Sequence, residues 1–316
     1  MRAIIAAFAL CAFSFLAHAQ PVARTVHLIV PYTPATGADI LARALGPKLQ
    51  ERWKVAVVTE NKPGATGNIG AEFVAKAPAD GSTLLVAATS FATNPALNPA
   101  PYDPVKSFAP VIVAATSALC VVVNPQVPAQ SMKELIDAAK RQPGKLNYGS
   151  PGNGTSPHIA TEVFNREAKV KLNHIPYKGA GPALQDLIGG QIQIVFDPGV
   201  GISPAKAGKV RMIAIAGPNR HPDFPDVPTL EENGIKHVDG GPHFGFYAPA
   251  ATPREVIAKV NAEVAKAMQH PPVAERFKAL AVNVAEPMTP EQFAAYVRGE
   301  HAKYAKLIPE LGIKGQ

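Results

Sequence analysis

The strongest constraint on this chain is a strand–helix alternation that occurs twice. Residues 26–30, Val-His-Leu-Ile-Val, form an apolar run of strand length. A loop at 31–37 follows. From Asp39 to about Trp53, Leu41, Leu45 and Leu49 share one helical face, with Arg43, Lys48 and Arg52 among the polar positions. Pro47 lies inside that pattern and is expected to kink or shorten the helix. Residues 55–58 read as a second strand, 61–67 as a turn-rich loop, 68–77 as a second helix and 83–87 as a third strand. Short connections of this kind feed parallel strands through helical crossovers, so the expected product is an α/β sheet with helices on its faces. Ligands of such sheets bind beyond the carboxyl ends of the strands. Two loops are thereby singled out: 32–39, and 88–94 with Ser90.

The pattern then recurs. Residues 111–123 form an apolar segment long enough to leave one domain and enter another. Ser131-Met132-Lys133-Glu134 is a capping box that opens a helix. A strand at 146–148, a glycine-rich loop and a helix follow. Next come a strand at 172–175, a loop at 176–181, and a helix to Ile188 that Gly189-Gly190 ends. Strands at 192–196, with Asp197 directly behind, and at 210–214 complete the second half. A strand at 244–248 returns from it. Capping boxes at Thr252–Glu255 and Thr289–Gln292 open two terminal helices, and Pro271-Pro272 stops the first. The terminal helices read as scaffold for the first domain. A length of 316 residues suits two domains. The expected division is a signal peptide at 1–19, a first lobe from 20–122 and 244–316, and a second lobe from 123–243.

The signal peptide is read from Arg2, the apolar stretch 3–16 and the small-x-small site Ala17-His18-Ala19. Cleavage after Ala19 leaves Gln20 first and places the protein in the periplasm. The apolar run is short for a membrane span, and no cysteine follows the site to take a lipid. Loss of Arg2 lowers the net charge from +7 to +6. Cys11 leaves as well, so Cys120 has no partner for an internal disulfide and reads as a small buried hydrophobe. The modest basic excess suits anionic small molecules. A nucleic-acid partner is not expected, because no basic run with interleaved aromatics is present.

Chemistry concentrates in Gly149-Ser150-Pro151-Gly152-Asn153-Gly154-Thr155-Ser156-Pro157-His158. Its glycines allow tight turns and close approach to a ligand. Ser156 reads as the N-cap and Pro157 as the first residue of the helix behind it. A helix start with free N–H groups and neighbouring hydroxyls is a socket for a small anion. It is not a nucleotide loop: Thr155 stands where a phosphate loop needs lysine. No two histidines share a three- or four-residue helical spacing and no cysteine pair exists, so neither a metal nor a cofactor is expected. Ser156 and His158 raise the alternative of an exported hydrolase, but the G-x-S-x-G elbow is missing. With no catalytic residue assigned, the chain reads as a non-enzymatic binding protein. The loop at 32–39 carries Tyr32, Thr33, Thr36 and Gly37 and offers the facing half of a site.

These residues also carry a family resemblance. Val30-Pro31-Tyr32-Thr33-Pro34 with Gly37-Ala38-Asp39-Ile40-Leu41-Ala42-Arg43 resembles the opening of the Bug family, the TctC-like solute-binding proteins of tripartite tricarboxylate transporters. Glu60–Gly70, Pro101–Pro104, Leu146–Ser150, Gly152–His158, Pro176–Gly179, Phe196-Asp197 and Asp226–Thr229 continue it in order over the mature chain. The resemblance implies a type II two-lobed periplasmic binding fold. It also implies closure on a carboxylated ligand that is delivered to membrane transporter subunits or presented to a sensor kinase. A monomer is expected, and aromatic acids and dicarboxylates are among the small carboxylates that fit. The ligand contacts that the resemblance implies in one lobe are Tyr32 and the stretch Ala35 to Ala38, with Thr36, Gly37 and Ala38 chosen from it; Ser90 joins them from the 88–94 loop by the strand-end argument. In the other they are Ser150, Gly154, Thr155, Ser156, Tyr177, Gly179 and Asp197.

Three departures stand out. Ala35-Thr36 replaces a glycine pair and Ala38 a hydroxyl residue, so Thr36 is the candidate for the missing hydroxyl. Pro198-Gly199-Val200-Gly201 is small and apolar where the family is polar, which leaves room for an apolar ligand body. His243 stands near the place of a tryptophan, as a ligand contact or as hinge packing. Asp197 has three open roles: repelling a second carboxylate, binding an ammonium group, or capping the next turn. His158 and Asp39 are expected to hold their loops in shape.

Overall fold

Strand β1 (Thr25–Val30) is covered on both faces; Leu28, Ile29 and Val30 have no solvent exposure. That is the burial a strand in a helix-flanked sheet requires. In this computed structural model, residues 25–314 are described except 35, 89, 98, 239, 240, 280, 281 and 287. The expected signal segment and Gln20 lie outside the described residues. After β1 come α1 (Gly37–Trp53), β2 (Ala56–Asn61), α2 (Asn68–Ala75), β3 (Thr83–Ala88), the single turn α3 (Ser90–Thr93) and β4 (Phe108–Ser117). The chain then builds β5 (Leu119–Val123), α4 (Met132–Arg141), β6 (Asn147–Ser150), α5 (Ser156–Ala168), β7 (Asn173–Pro176), α6 (Ala180–Ile188), β8 (Ile194–Asp197), α7 (Ile202–Lys206) and β9 (Arg211–Ala216). It returns through β10 (His243–Pro249), α8 (Arg254–Met268), α9 (Pro271–Ala279), β11 (Val282–Val284) and α10 (Pro290–Glu310).

Two sheets result, ordered β11-β4-β10-β3-β1-β2 and β7-β6-β8-β5-β9. The α/β class holds, but the pairing is mixed where mostly parallel sheets were expected. The alternating strands are parallel: β1 to β2 and β3, and β6 to β7 and β8. The strands that carry the chain between sheets enter antiparallel: β10 against β3 and β4, and β5 against β8 and β9.

Helix α1 runs unbroken through Pro47. An interior proline costs about 3 kcal/mol. Leu41, Leu45 and Leu49 are fully buried, at roughly 1.5–3 kcal/mol each, so packing outweighs the missing hydrogen bond. The capping boxes fare differently. Thr289 is complete, accepting from Gln292 N at 3.2 Å while Gln292 Oε1 accepts from Thr289 N at 2.9 Å. Ser131 accepts from Glu134 N, but the Glu134 carboxylate reaches back to Gln130 N instead. Thr252 caps nothing: Pro253 is the N-cap, and the buried Thr252 hydroxyl finds no partner among the described residues.

The sheets divide the chain earlier than expected. β4 ends at Ser117 and β5 starts at Leu119, so 119–122 belong to the second sheet and only Ala118 spans the crossing. The return crossing lies beside it, with Ser117 N–H donating to Pro242 O at 3.1 Å. Gly241 is required there, because any Cβ would collide with Ser117 O. Cys120, in β5, is buried as expected, and burial, then Asp197, push its thiol pKa up. Helix α10 does more than scaffold the first sheet. Phe293 and Val297 pack into that sheet's core with Val113 and Tyr247. Tyr304 and Ile308 pack on Ile159 and Val163 of α5, which flanks the second sheet.

Candidate ligand-binding cleft

Helix α1 starts at Gly37 behind the N-cap Thr36, and α5 starts at Ser156 behind the N-cap Thr155. The second cap sits one residue earlier than the sequence suggested, and Pro157 follows Ser156 inside the helix. Both starts, together with Ala180 at the head of α6, line one cavity of about 130 Å³ between the sheets. First-turn N–H groups lack intrahelical acceptors, and each helix start carries the equivalent of roughly half a positive charge. Three such ends around a single small cavity make a focused anion socket.

The first loop is braced by Asp39, which is 3% exposed. Its Oδ1 accepts from Arg43 Nε at 3.0 Å and from Asn61 Nδ2 at 2.9 Å. Asn61 Nδ2 also donates to Tyr32 O at 3.1 Å. Asp39 therefore fixes its loop, as expected. Thr36 donates its hydroxyl proton to Thr33 O at 3.0 Å. In this arrangement it supports the loop with its one donor. Phe244 of β10 stands against the head of α1, where any Cβ on Gly37 would collide with its ring.

The second loop rests on a stack of rings. Gly154 N–H donates to His158 Nδ1 at 3.0 Å, and Ser150 Oγ shares a 2.7 Å hydrogen bond with His174 Nε2. The His158 and His174 rings stack at 3.9 Å between centroids, and His174 stacks on Tyr148 at 4.8 Å. Burial, then the neighbouring His174 imidazole, lowers the His158 pKa to about 3; burial lowers that of His174 to about 4. Both rings are therefore neutral at pH 7, and His158 can act as acceptor. Thr155 Oγ1 donates to Gly152 O at 2.7 Å, closing the turn. Gly154 adopts φ +73° and sits under Leu97 from the first half of the chain. His158 Nδ1 is taken by Gly154 N–H, and its ring lies stacked on His174.

Six of the twelve expected contact residues line the cavity together: Tyr32, Thr36, Gly37, Ala38, Thr155 and Ser156. The others are placed elsewhere. Ser150 is fully buried, with its hydroxyl turned to Gly152 and His174. Gly154 is buried behind its loop. Tyr177 OH donates to Asp186 at 2.7 Å. Gly179 caps α6 at φ +139° and faces Thr33. Ser90 is the first residue of α3. Asp197 has no exposure, and its Oδ2 accepts from Gly199 N and Gly201 N at 2.8 Å each. Of its three roles, the geometry matches capping of the 198–201 turn. Its Oδ1 has no partner among the described residues, and burial, opposed by those two bonds, pushes its pKa up to about 6. His243 bonds Tyr296 OH at 2.9 Å beside the crossing segments, while Phe244 next to it lines the cavity. Sequence reasoning missed Phe244, Ile40 and Pro242 as cavity residues, and His174 as a loop support.

Two mixed α/β lobes enclosing an anion socket define a solute-binding protein of the periplasmic type. The profile described as "Tripartite tricarboxylate transporter family receptor" (TctC) matches residues 41–313, and the chain belongs to that family. It is 34% identical to protein BugT of Bordetella pertussis over 299 residues, covering 92% of this chain and 90% of BugT. Among solved structures, the periplasmic binding protein BugD is similar at 31% identity and a TM-score of 0.85, covering 92% of this chain and 99% of BugD. An R. palustris protein solved with adipate is similar at 30% identity and a TM-score of 0.86, covering 92% and 98% of the two chains.

Proposed function

We propose that this chain is an exported, monomeric, non-enzymatic receptor that captures a small carboxylate between its lobes and delivers it to the membrane subunits of a tripartite transporter. The observation that carries this is the meeting of three helix starts at one cavity between the two sheets. The adipate in a structural relative supports the choice of anion. The lobes are assigned as 25–117 with 243–314, and 119–216 with the segment leading to β10. Export follows from the leader ending at Ala19. A carboxylate held between the heads of α1, α5 and α6 touches both lobes, so it stabilises the closed arrangement over the open one. The pre-placed N–H dipoles replace the water it leaves behind.

Thermal unfolding with a carboxylate panel tests the reading. A true ligand at one hundred times its Kd adds about 2.7 kcal/mol, and it is recovered unchanged. Conversion of the ligand to product, abolished by Ser156→Ala, would overturn the proposal in favour of a hydrolase.

A further inference from the structure

We infer that the cleft selects acids with a single carboxylate and an apolar body, and discriminates against dicarboxylates of the same length. This rests on the carboxylate reading above and narrows it. Among the described residues lining the cavity, none is Lys, Arg or His. Of the undescribed positions close in sequence to lining residues, Ala35, Thr89 and Gly240 carry no charge and Asp239 is an acid, so none is a cation. The donors able to meet an anion are the backbone N–H groups and hydroxyls at the helix heads, together with the hydroxyl of Tyr32 on the loop before α1. The remaining wall includes Ile40, Ala88, Pro198, Val200, Pro242 and Phe244. Proline has no N–H to offer, and the aliphatic and aromatic groups match hydrocarbon. One carboxylate is thus well solvated by the protein, whereas a second would lose its water without a partner.

A negative group already lies behind this wall. Asp197 sits under the 198–201 turn with Oδ2 bonded to Gly199 and Gly201, and Gly199 and Val200 of that turn face the cavity. Ionised Asp197 disfavours another anion close by in a low-dielectric interior. The cavity is also small, about 130 Å³, which leaves little room for a second carboxylate to keep its own waters. Specificity here comes from what the wall withholds as much as from what the helix heads supply.

Titration calorimetry at pH 7.5 with hexanoate, benzoate and adipate tests the inference, because hexanoate and adipate differ by one carboxylate at equal length. Hexanoate or benzoate should bind at least tenfold tighter than adipate. Adipate binding as tightly as, or tighter than, both would overturn the inference and leave the carboxylate receptor standing. If no carboxylate in a wider panel binds, the receptor reading itself falls. Val200→Lys places a cation in the apolar wall and should shift the hexanoate-to-adipate ratio at least tenfold toward adipate, with circular dichroism unchanged. A folded variant with an unchanged ratio would show that the wall does not meet the ligand's far end, which also overturns the inference.

Discussion

Acid should unfasten the second binding loop through His158, and His158→Asn should remove that response. The imidazole is lowered from its ordinary 6.5 to about 3, by burial first and by His174 second. Its folded value lies below its unfolded one. Its contribution to stability is therefore complete above pH 6.5 and is lost as the pH falls toward 3. For one such group, the loss between pH 7 and pH 5 is roughly 2 kcal/mol. The structural consequence is local, because a proton on Nδ1 removes the acceptor for Gly154 N–H. That bond sets the turn which presents Thr155 and Ser156. Asparagine keeps an acceptor oxygen near the Nδ1 position and does not titrate. His174, held to about 4, adds a change of the same sign. Asp197, raised to about 6, adds one of the opposite sign. Both persist in the variant, so the difference between the two proteins isolates His158. Urea unfolding at pH 7 and pH 5 should show the native chain losing about 2 kcal/mol more than His158→Asn. Equal losses would refute the reasoning.

Two further outcomes follow from packing and charge. Gly37→Ala drives a Cβ into the Phe244 ring and should cost about 1–3 kcal/mol, read as a lower unfolding midpoint together with weaker carboxylate binding. Asp197→Asn keeps an acceptor for Gly199 and Gly201 but removes the buried charge. Because the folded pKa of Asp197 is raised from 3.8 to about 6, its stabilising contribution is complete below 3.8 and fades as the pH rises through 6. The variant should therefore gain roughly 2.4 kcal/mol on the native chain between pH 4 and pH 8. A gap that does not change with pH would contradict the assignment.

The alternating halves were legible because helix and strand periods differ, and each element's apolar pattern matches the face it buries. Leu41, Leu45 and Leu49 show this in α1. The lobe boundary was not, because 111–123 is apolar on both sides of a crossing that occupies one residue, Ala118. The antiparallel entry of β5 and β10 was hidden for the same reason: sequence shows where strands are, not which way they arrive. The heads of α1 and α5 were visible as loops with hydroxyls and glycines. His174 was not, since its place depends on the pairing of Tyr148 with His174 across β6 and β7. That register has no local signal. Phe244 becomes a cavity residue only when β10 returns beside β3.

The terminal helix has a mechanical consequence. α10 has 21 residues, about 31 Å of rigid rod. One half is embedded with Phe293 and Val297 in the first lobe, and the other bears on α5 through Tyr304 and Ile308. Near the far end Arg166 meets Glu310 at 3.8 Å. The head of α5 lines the cavity, so in the proposed closure the far half of this rod is a surface that α5 would have to move against. The contact of Tyr304 and Ile308 with Ile159 and Val163, and the Arg166–Glu310 pair, would resist that movement although none of these side chains lines the cavity.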